Sequence, residues 1–277
     1  MSDVRLDEVG YWSEVKLEIV RDYAKAYSTV LDKQPTIQSH LYLDGFAGAG
    51  VHISKATGQF IPGSPLNALN VQPPFREYHF IDLNGGRAGS LRELAGNRSD
   101  VFVYEGDCNR VLLDKVFPRC LYSDYRRALC LLDPYGLHLD WEVIFQAGQM
   151  RSIEIFLNFP VMDMNMNVLW RNPDRVQANQ AARMDKFWGD RTWREAAYTT
   201  TPGLFGGIEE KVESKVVANA FRERLKAVAG FAYVPEPLPM KNTNGGIVYY
   251  LFFASPNKTG HKIVTDIFEK YRHRGAV

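Results

Sequence analysis

The chain begins with an amphipathic stretch and continues with short apolar runs separated by mixed segments. From 12 to 32, apolar residues such as Val15, Ile19 and Tyr23 recur at helical spacing. Five β-rich runs then follow, almost continuously apolar: "SHLYLDGF" at 39–46, "EYHFIDL" at 77–83, "VFVYEGD" at 101–107, "ALCLLDP" at 128–134 and "IEIFLNFP" at 153–160. Strands that are buried on both faces have this composition. The pattern therefore predicts one long helix followed by five inner strands.

Helical candidates separate these strands, for example "GGRAGSLRELAG" at 85–96 and "DWEVIFQAGQ" at 140–149. Because strand and helix alternate, we predict an α/β fold in which helices cover a mostly parallel sheet. Near the end of the chain, "FAYVPEPLPMK" and "GIVYYLFFAS" flank "NTNGG", a strong signal for a hairpin. The predicted sheet thus has seven strands, and its last two form an antiparallel hairpin.

Between the fifth strand and the hairpin, the sequence is polar and lacks β-rich runs. We predict a helical insertion at 161–228, and a main domain formed by 1–160 and 229–277. The insertion is a candidate subdomain for recognising a substrate or a partner. Its tryptophans, Trp170, Trp188 and Trp193, could stack on bases, or they could form the core of a small helical unit.

Composition narrows the class of protein. The 277 residues are 45% hydrophobic and 23% charged, and the net charge is +1, as in ordinary soluble domains without a strong electrostatic footprint for nucleic acid. No apolar run has membrane-spanning length and no secretory signal is visible, so we expect a cytoplasmic protein. The cysteines, Cys108, Cys120 and Cys130, are odd in number and form no CxxC pair, so we predict no disulfide framework and no metal site.

A glycine-rich loop follows the first strand in "LYLDGFAGAG", residues 41–50. It lacks the GxxxxGK[ST] pattern of a phosphate loop, and Ile53 stands where a dinucleotide fingerprint needs a third glycine. The remaining pattern, Asp-x-Phe-x-Gly-x-Gly, resembles the first motif of Rossmann-like methyltransferases that bind S-adenosylmethionine (SAM). It is formed by Asp44, Phe46, Gly48 and Gly50, with Gly45 inside it. A glycine turn that binds no ligand is the alternative.

Carboxylates also end the next two strands. Asp82, followed by Leu83, can accept hydrogen bonds from both ribose hydroxyls of a nucleoside. Asp107 can accept from the amino group of adenine while the Cys108 backbone meets the ring edge, although a strand-end aspartate can equally cap a helix. With Asp133, four strands end in aspartate. Such carboxylates repel one another unless a cationic or hydrogen-bonding ligand lies among them, and the sulfonium and ammonium of SAM would supply the positive charge.

The fourth strand ends in "LLDPYG", in which Asp133, Pro134 and Tyr135 resemble the Asp/Asn-Pro-Pro-Tyr/Phe turn of methyltransferases that act on amines. In that turn the carboxylate or amide oxygen accepts the amine protons, and the aromatic ring stacks on the target base. The second proline is absent here, and a purely structural Asp-Pro turn is the alternative. For His138, just after the turn, we expect a surface role.

Several stretches together resemble the three-Cys-motif partner (TcmP) family: "VGYWSEVKLEIVRDYAKAYSTVL", "YLDGFAGAG", "GSPLNAL", "EYHFIDLN", "EGDCN", "RALCLLDPYGLHLDWEV", "FPVMDMN" and "DKFWGDRTWREAAY". The resemblance implies a class I SAM-binding fold and a separate partner protein that carries a three-cysteine, iron–sulfur motif. It also implies that Lys16 approaches the carboxylate of SAM. The cysteines of this chain are not that motif.

These patterns lead to one functional expectation and two alternatives. We expect a SAM-dependent methyltransferase that methylates an amine of a nucleobase in DNA or RNA. An enzyme that methylates a small molecule or a protein side chain is one alternative. A non-catalytic adaptor, which keeps the fold and holds the three-cysteine partner, is the other.

Overall fold

The computed structural model describes residues 8–55, 57–203, 206–242 and 244–272. Its strands in chain order are β1 (Glu8–Val9), β2 (Ser39–Asp44), β3 (Val51–Ser54), β4 (Phe60–Pro62), β5 (Glu77–Asp82), β6 (Val101–Glu105), β7 (Arg126–Leu132), β8 (Ile153–Phe159), β9 (Tyr198–Gly203), β10 (Gly206–Lys211), β11 (Leu238–Lys241) and β12 (Ile247–Ala254). Its helices are α1 (Tyr11–Asp32), α2 (Ser64–Leu69), α3 (Gly85–Ala95), α4 (Cys108–Val111), α5 (Trp141–Met150), α6 (Val161–Asn167), α7 (Ala178–Trp188), α8 (Trp193–Ala197), α9 (Ser214–Ala227) and α10 (Lys258–Arg272).

The main sheet has seven strands in the order β11-β12-β8-β7-β2-β5-β6. The five strands β6, β5, β2, β7 and β8 are parallel, and β12 runs antiparallel to both of its neighbours. This confirms the predicted Rossmann-like, mostly parallel sheet of seven strands with an antiparallel closing hairpin. From β2 the chain continues to β5 and β6, which lie on one side of β2 in the sheet. It then returns to β7 and β8, which lie on the other side of β2. The order therefore reverses between β2 and β7, where open α/β sheets bind ligands.

Two apolar layers cover the sheet, because neighbouring residues of a strand point to opposite faces. On β2, Leu41 and Leu43 face a layer that includes α5 and α9. Tyr42 faces the opposite layer, which includes α1 and α10. All three side chains are at most 1% exposed. Helices on both faces account for the almost continuous apolar composition of the inner strands.

The segment 161–228 is mainly helical, as predicted, but it also contains the antiparallel ribbon β9–β10, which the sequence analysis missed. The ribbon includes threonines and glutamates and has no alternating apolar face, so it gives no strand signal. Trp188 and Trp193 are 2% and 4% exposed, so they belong to the core and cannot stack on a base in this conformation. Trp170, 37% exposed, remains accessible.

A second missed ribbon lies directly after the glycine-rich loop. The segment between that loop and α2 forms the hairpin β3–β4, and β1 pairs in parallel with β3. The Gly63 amide donates to the Gly50 carbonyl at 2.8 Å, which closes the base of the hairpin. Among the described residues, no helix is long and apolar enough to cross a membrane.

We predict that Phe221→Ala lowers the free energy of unfolding by about 3–5 kcal/mol, because Phe221 of α9 is fully buried and its removal leaves a cavity. Its ring lies 4.8 Å from that of Phe159 and 5.6 Å from that of Phe252, both on the sheet. Urea unfolding followed by circular dichroism measures the change. Val216→Ala, at an exposed position of the same helix, is the control. Loss of stability in only part of a two-step transition would contradict a core shared between α9 and the sheet.

Candidate active site

The glycine-rich loop after β2 is attached to the end of β5. Gly48 has φ +66°, a backbone conformation that residues with a Cβ rarely adopt. Its amide donates to Asp82 Oδ2 at 3.0 Å, and the neighbouring Ala47 amide donates to the Ile81 carbonyl at 2.9 Å. The loop therefore folds over the sheet edge, and Asp82 fixes its position.

The two predicted nucleoside-binding carboxylates also organise the backbone around them. Asp82 is 7% exposed, and its Oδ1 accepts from the Asn84 amide at 2.8 Å at the start of α3. Asp107 accepts from the Arg110 amide at 3.1 Å and caps α4. The capping alternative considered for Asp107 is thus confirmed. A carboxylate oxygen can accept further hydrogen bonds, so neither contact prevents ligand binding.

One cavity, which we call the first cavity, has a volume of about 410 Å³. This volume lies in the range of ordinary small-molecule sites. Six of the predicted cofactor residues, from three strand ends, line it: Gly45, Phe46, Asp82, Leu83, Asp107 and Cys108. Exposed His138 borders the same cavity. The structure therefore brings most of the predicted cofactor residues together around a space that protein side chains do not fill.

An adjacent cavity, the second cavity, has a volume of about 340 Å³. It contains other predicted residues: Lys16, Gly48, Asp133, Pro134 and Tyr135. Phe46 and Tyr135 line both cavities, so they mark the junction between them. Tyr135 is 61% exposed, and the Arg87 guanidinium lies 5.7 Å from the centre of its ring.

A partly buried ion pair lies in the wall of the second cavity. The Lys16 ammonium contacts Asp133 Oδ2, and Asn158 Nδ2 donates to Asp133 Oδ1 at 2.7 Å. Burial alone would lower the pKa of Lys16, but the Asp133 carboxylate raises it overall, so Lys16 stays charged. Both oxygens of Asp133 thus have partners within the protein, and Lys16 is paired with a carboxylate of the protein itself.

Asp44 lies at the end of β2 and is fully buried. Its Oδ1 accepts from the Phe46 amide at 3.2 Å, whereas Oδ2 accepts no hydrogen bond from the described residues. Burial raises the pKa of Asp44 to about 7, although Ser64 and the Phe46 amide oppose the shift. In the described part of the chain, Asp44 and Gly50 are not among the residues that line either cavity. Asp44 therefore supports the loop from inside.

Most of the strand-end carboxylates, which were expected to need a cationic or hydrogen-bonding ligand, already have partners within the protein. Two backbone amides compensate Asp82, one backbone amide compensates Asp107, and Lys16 with Asn158 compensates Asp133. The repulsion argument therefore does not by itself require a ligand. Asp44, which retains an unsatisfied oxygen, is the exception.

Sequence reasoning missed several residues of the second cavity, above all Asn158, His52 and Tyr249. His52 comes from the unpredicted strand β3, and Tyr249 comes from β12 on a distant part of the chain. For Asn158 a signal was present. It is the one amide side chain in the apolar run "IEIFLNFP", next to the carboxyl end of its strand.

Comparison with known proteins shows the fold and no closer relationship. No protein-family model and no curated protein matches the chain. The chain is similar to a solved Legionella pneumophila protein of family DUF519, with TM-score 0.51, 13% identity and coverage of 95% of this chain and 94% of the other. At this identity the likeness shows a shared fold alone. The resemblance to the TcmP family is not confirmed and stays a prediction.

Two structures with lower scores are methyltransferases. The CurJ carbon methyltransferase aligns with TM-score 0.42 and 12% identity, covering 86% of this chain and 54% of that chain. A SAM-dependent methyltransferase of the DUF858 family from Leishmania major aligns with TM-score 0.37 and 8% identity, covering 88% of this chain and 82% of that chain. TM-scores of this size establish no common fold.

We predict that Asp44→Asn stabilises the protein increasingly as the pH rises from about 4 to 7. The pKa of Asp44 is raised from 3.8 to about 7, so over this interval the unfolded carboxyl loses its proton while the folded one keeps it. Wild-type stability therefore falls with rising pH, and the amide removes that loss, on the order of a few kcal/mol. Unfolding free energies of both proteins at pH 5 and pH 8 measure it. A difference that does not change with pH would contradict the assignment.

Proposed function

We propose that the chain is a SAM-dependent methyltransferase that methylates an amine, most directly the exocyclic amine of a nucleobase in DNA or RNA. The observation that carries the proposal is the first cavity. Residues from the ends of three separate strands line one open space beside the point where the strand order reverses. A ligand there reaches the second cavity across Phe46 and Tyr135, which line both.

The residues of the first cavity fit an adenosine. Asp82 keeps lone pairs for the ribose hydroxyls after binding its two amides, and this type of carboxylate contact is common in nucleoside sites. Asp107 and the Cys108 backbone lie at the next strand end for the adenine ring. The methionyl end would then lie along the loop from Gly45 to Gly48. A side chain at Gly48 would strain the loop at its contact with Asp82.

SAM supplies an electrophilic methyl group on its sulfonium sulfur. The chain's own residues then have to position the acceptor and exclude water, because methyl transfer is an in-line displacement. Exposed Tyr135 with the nearby Arg87 offers an aromatic face and a cation at the junction of the cavities, a combination suited to a base and its phosphate. This feature supports a nucleobase over a small aliphatic amine.

A second candidate function is the adaptor that holds a three-cysteine partner. Met162, Met166 and Trp170, on and after α6, are 42%, 63% and 37% exposed. Exposed methionines and aromatics are frequent at protein interfaces. The two functions differ in one property, because an adaptor does not need to bind SAM. The same surface of 161–228 would serve substrate recognition in the enzyme.

We predict that S-adenosylhomocysteine (SAH) binds the wild-type protein and that Asp82→Ala weakens this binding by about 1–3 kcal/mol, because charged hydrogen bonds to the ribose are lost. Isothermal titration calorimetry measures both affinities. Asp266→Ala, at an exposed position on α10, is the control and should bind as wild type does.

Absence of binding to SAH and SAM by the folded wild-type protein would contradict the enzyme and favour the adaptor. If SAH binds, incubation with labelled SAM and total DNA, total RNA or total protein identifies the acceptor. Label in nucleic acid supports nucleobase methylation. Label only in protein or in small molecules would contradict the proposed substrate while leaving the methyltransferase activity in place.

A further inference from the structure

A third cavity, of about 680 Å³, lies at the opposite edge of the sheet from the first two cavities. It is enclosed by the last turns of α1, the amino ends of β7 and β8, and the start of α10. Its volume lies in the range of ordinary small-molecule sites. Neither the cofactor nor the methyl acceptor of the proposed function uses this space.

Two arginines line the third cavity, Arg127 on β7 and Arg151 directly before β8. The two strands are neighbours in the sheet and parallel, so both residues lie at the same edge. In the described part of the chain, neither guanidinium forms an ion pair with a carboxylate, whereas the nearby Arg126 pairs with Glu77. The third cavity therefore offers two positive charges that no carboxylate of the described chain neutralises.

The backbone beside both arginines adopts an unfavourable conformation. Arg151 has φ +57°, and Tyr125, two residues before Arg127, has φ +55°. They are the non-glycine residues with positive φ among those that the structure describes. Such strain persists where the surrounding structure maintains it, and it is frequent at ligand sites. At the end of α5, a position where glycine is favoured, the chain therefore keeps an arginine that lines the third cavity.

The wall around Arg127 also offers a planar surface. The guanidinium carbon lies 3.8 Å from the ring centre of Tyr122, and this tyrosine is 56% exposed. Nη1 of Arg127 donates to the Arg126 carbonyl at 2.7 Å, which holds the guanidinium in place. Leu31 of α1 and Met150 of α5 add apolar surface to the same cavity. The wall thus combines cations with an aromatic and an apolar part.

A carboxylate, Glu154, lines the third cavity as well. It is 6% exposed, the Ser255 hydroxyl donates to its Oε1 at 2.8 Å, and the Tyr23 hydroxyl contacts Oε2. Burial raises the pKa of Glu154 to about 7, although both hydroxyls oppose the shift. Near neutral pH it therefore carries only part of a negative charge, and the two arginines dominate the charge of the cavity.

We propose that the third cavity binds a nucleotide, with its phosphate held by Arg127 and Arg151 and its base stacked on the surface that Tyr122 and Arg127 form. Guanidinium groups match the geometry of phosphate oxygens, and aromatic rings and arginine planes are suited to stacking on bases. The nucleotide is either free or one unit of a nucleic-acid strand, because both carry the same groups. This inference does not depend on the proposed methyltransferase activity.

Uridine 5′-monophosphate (UMP) is the probe, because it lacks the adenosine for which the first cavity is suited. Isothermal titration calorimetry on the full chain, in the presence of excess SAH, measures its affinity. We expect UMP to bind about tenfold or more tightly than inorganic phosphate, because the base and ribose add contacts with the aromatic and apolar wall. A short oligouridylate distinguishes the two sources. Tighter binding than UMP, with the same dependence on Arg127, would identify a nucleic-acid strand, and weaker binding a free nucleotide.

We expect Arg127→Ala and Arg151→Gly each to weaken UMP binding about tenfold or more, because hydrogen bonds between charged groups are lost. Arg151→Gly also removes the unfavourable positive φ of a side-chain-bearing residue, so its Tm should not fall below that of wild type. Arg127→Lys provides the comparison if the alanine variant does not fold, because lysine cannot reproduce the planar fork and weakens binding too. Arg175→Ala, at an exposed position outside the third cavity, is the control and should bind UMP as wild type does.

Absence of UMP binding by the folded wild-type protein would overturn the inference, and so would equal UMP affinities of wild type and both arginine variants. A lower Tm of Arg151→Gly would overturn the assignment of Arg151 to a ligand, because the side chain would then support the fold. SAH affinity should be unchanged in all these variants. Failure of SAH to bind would contradict the proposed function alone, since the dependence of UMP binding on the two arginines is measured independently.

Discussion

The gathering of four carboxylates at one edge of the sheet, three of which are compensated by groups of the protein itself, is the constraint on which the site depends. Parallel strands bring Asp44, Asp82, Asp107 and Asp133 to the same edge, where uncompensated charges would oppose folding. Backbone amides of the glycine-rich loop and of two helix starts satisfy Asp82 and Asp107, and buried Lys16 neutralises Asp133. The same contacts that make the edge stable therefore also shape the loop and the two cavities.

Much of the main sheet could be predicted because its strands are buried on both faces and their sequences are continuously apolar, as in "ALCLLDP". The ribbons β3–β4 and β9–β10 could not, because neither contributes a continuous apolar face to the core. The segment 161–228 was predicted as helical from its polarity. Its packing depends on Phe221, which meets residues of the sheet that are distant in the sequence.

The residues of the site likewise divide into those that the sequence predicts and those that it does not. The strand-end positions of Asp82 and Asp107 followed from the sequence, because the fold class alone brings the carboxyl ends of neighbouring strands together. The pairing of Lys16 with Asp133 could not be predicted from the sequence, because it depends on how α1 packs across the sheet edge. The hydrogen bond from Asn158 to Asp133 could not be predicted either, because it depends on the alignment of β7 with β8. The remaining charge question concerns Asp44, whose second oxygen has no described donor.

A crystal structure of the protein with SAH would show directly where the ligand binds. We predict that the adenine lies near Asp107 and Cys108, that the ribose hydroxyls contact Asp82, and that the sulfur lies at the junction marked by Phe46 and Tyr135. Density for SAH elsewhere would contradict it, for example in the cavity of about 680 Å³ beside Arg127 and Asn257 at the opposite edge of the sheet. A glycine-rich loop that makes no contact with the bound ligand would contradict it as well.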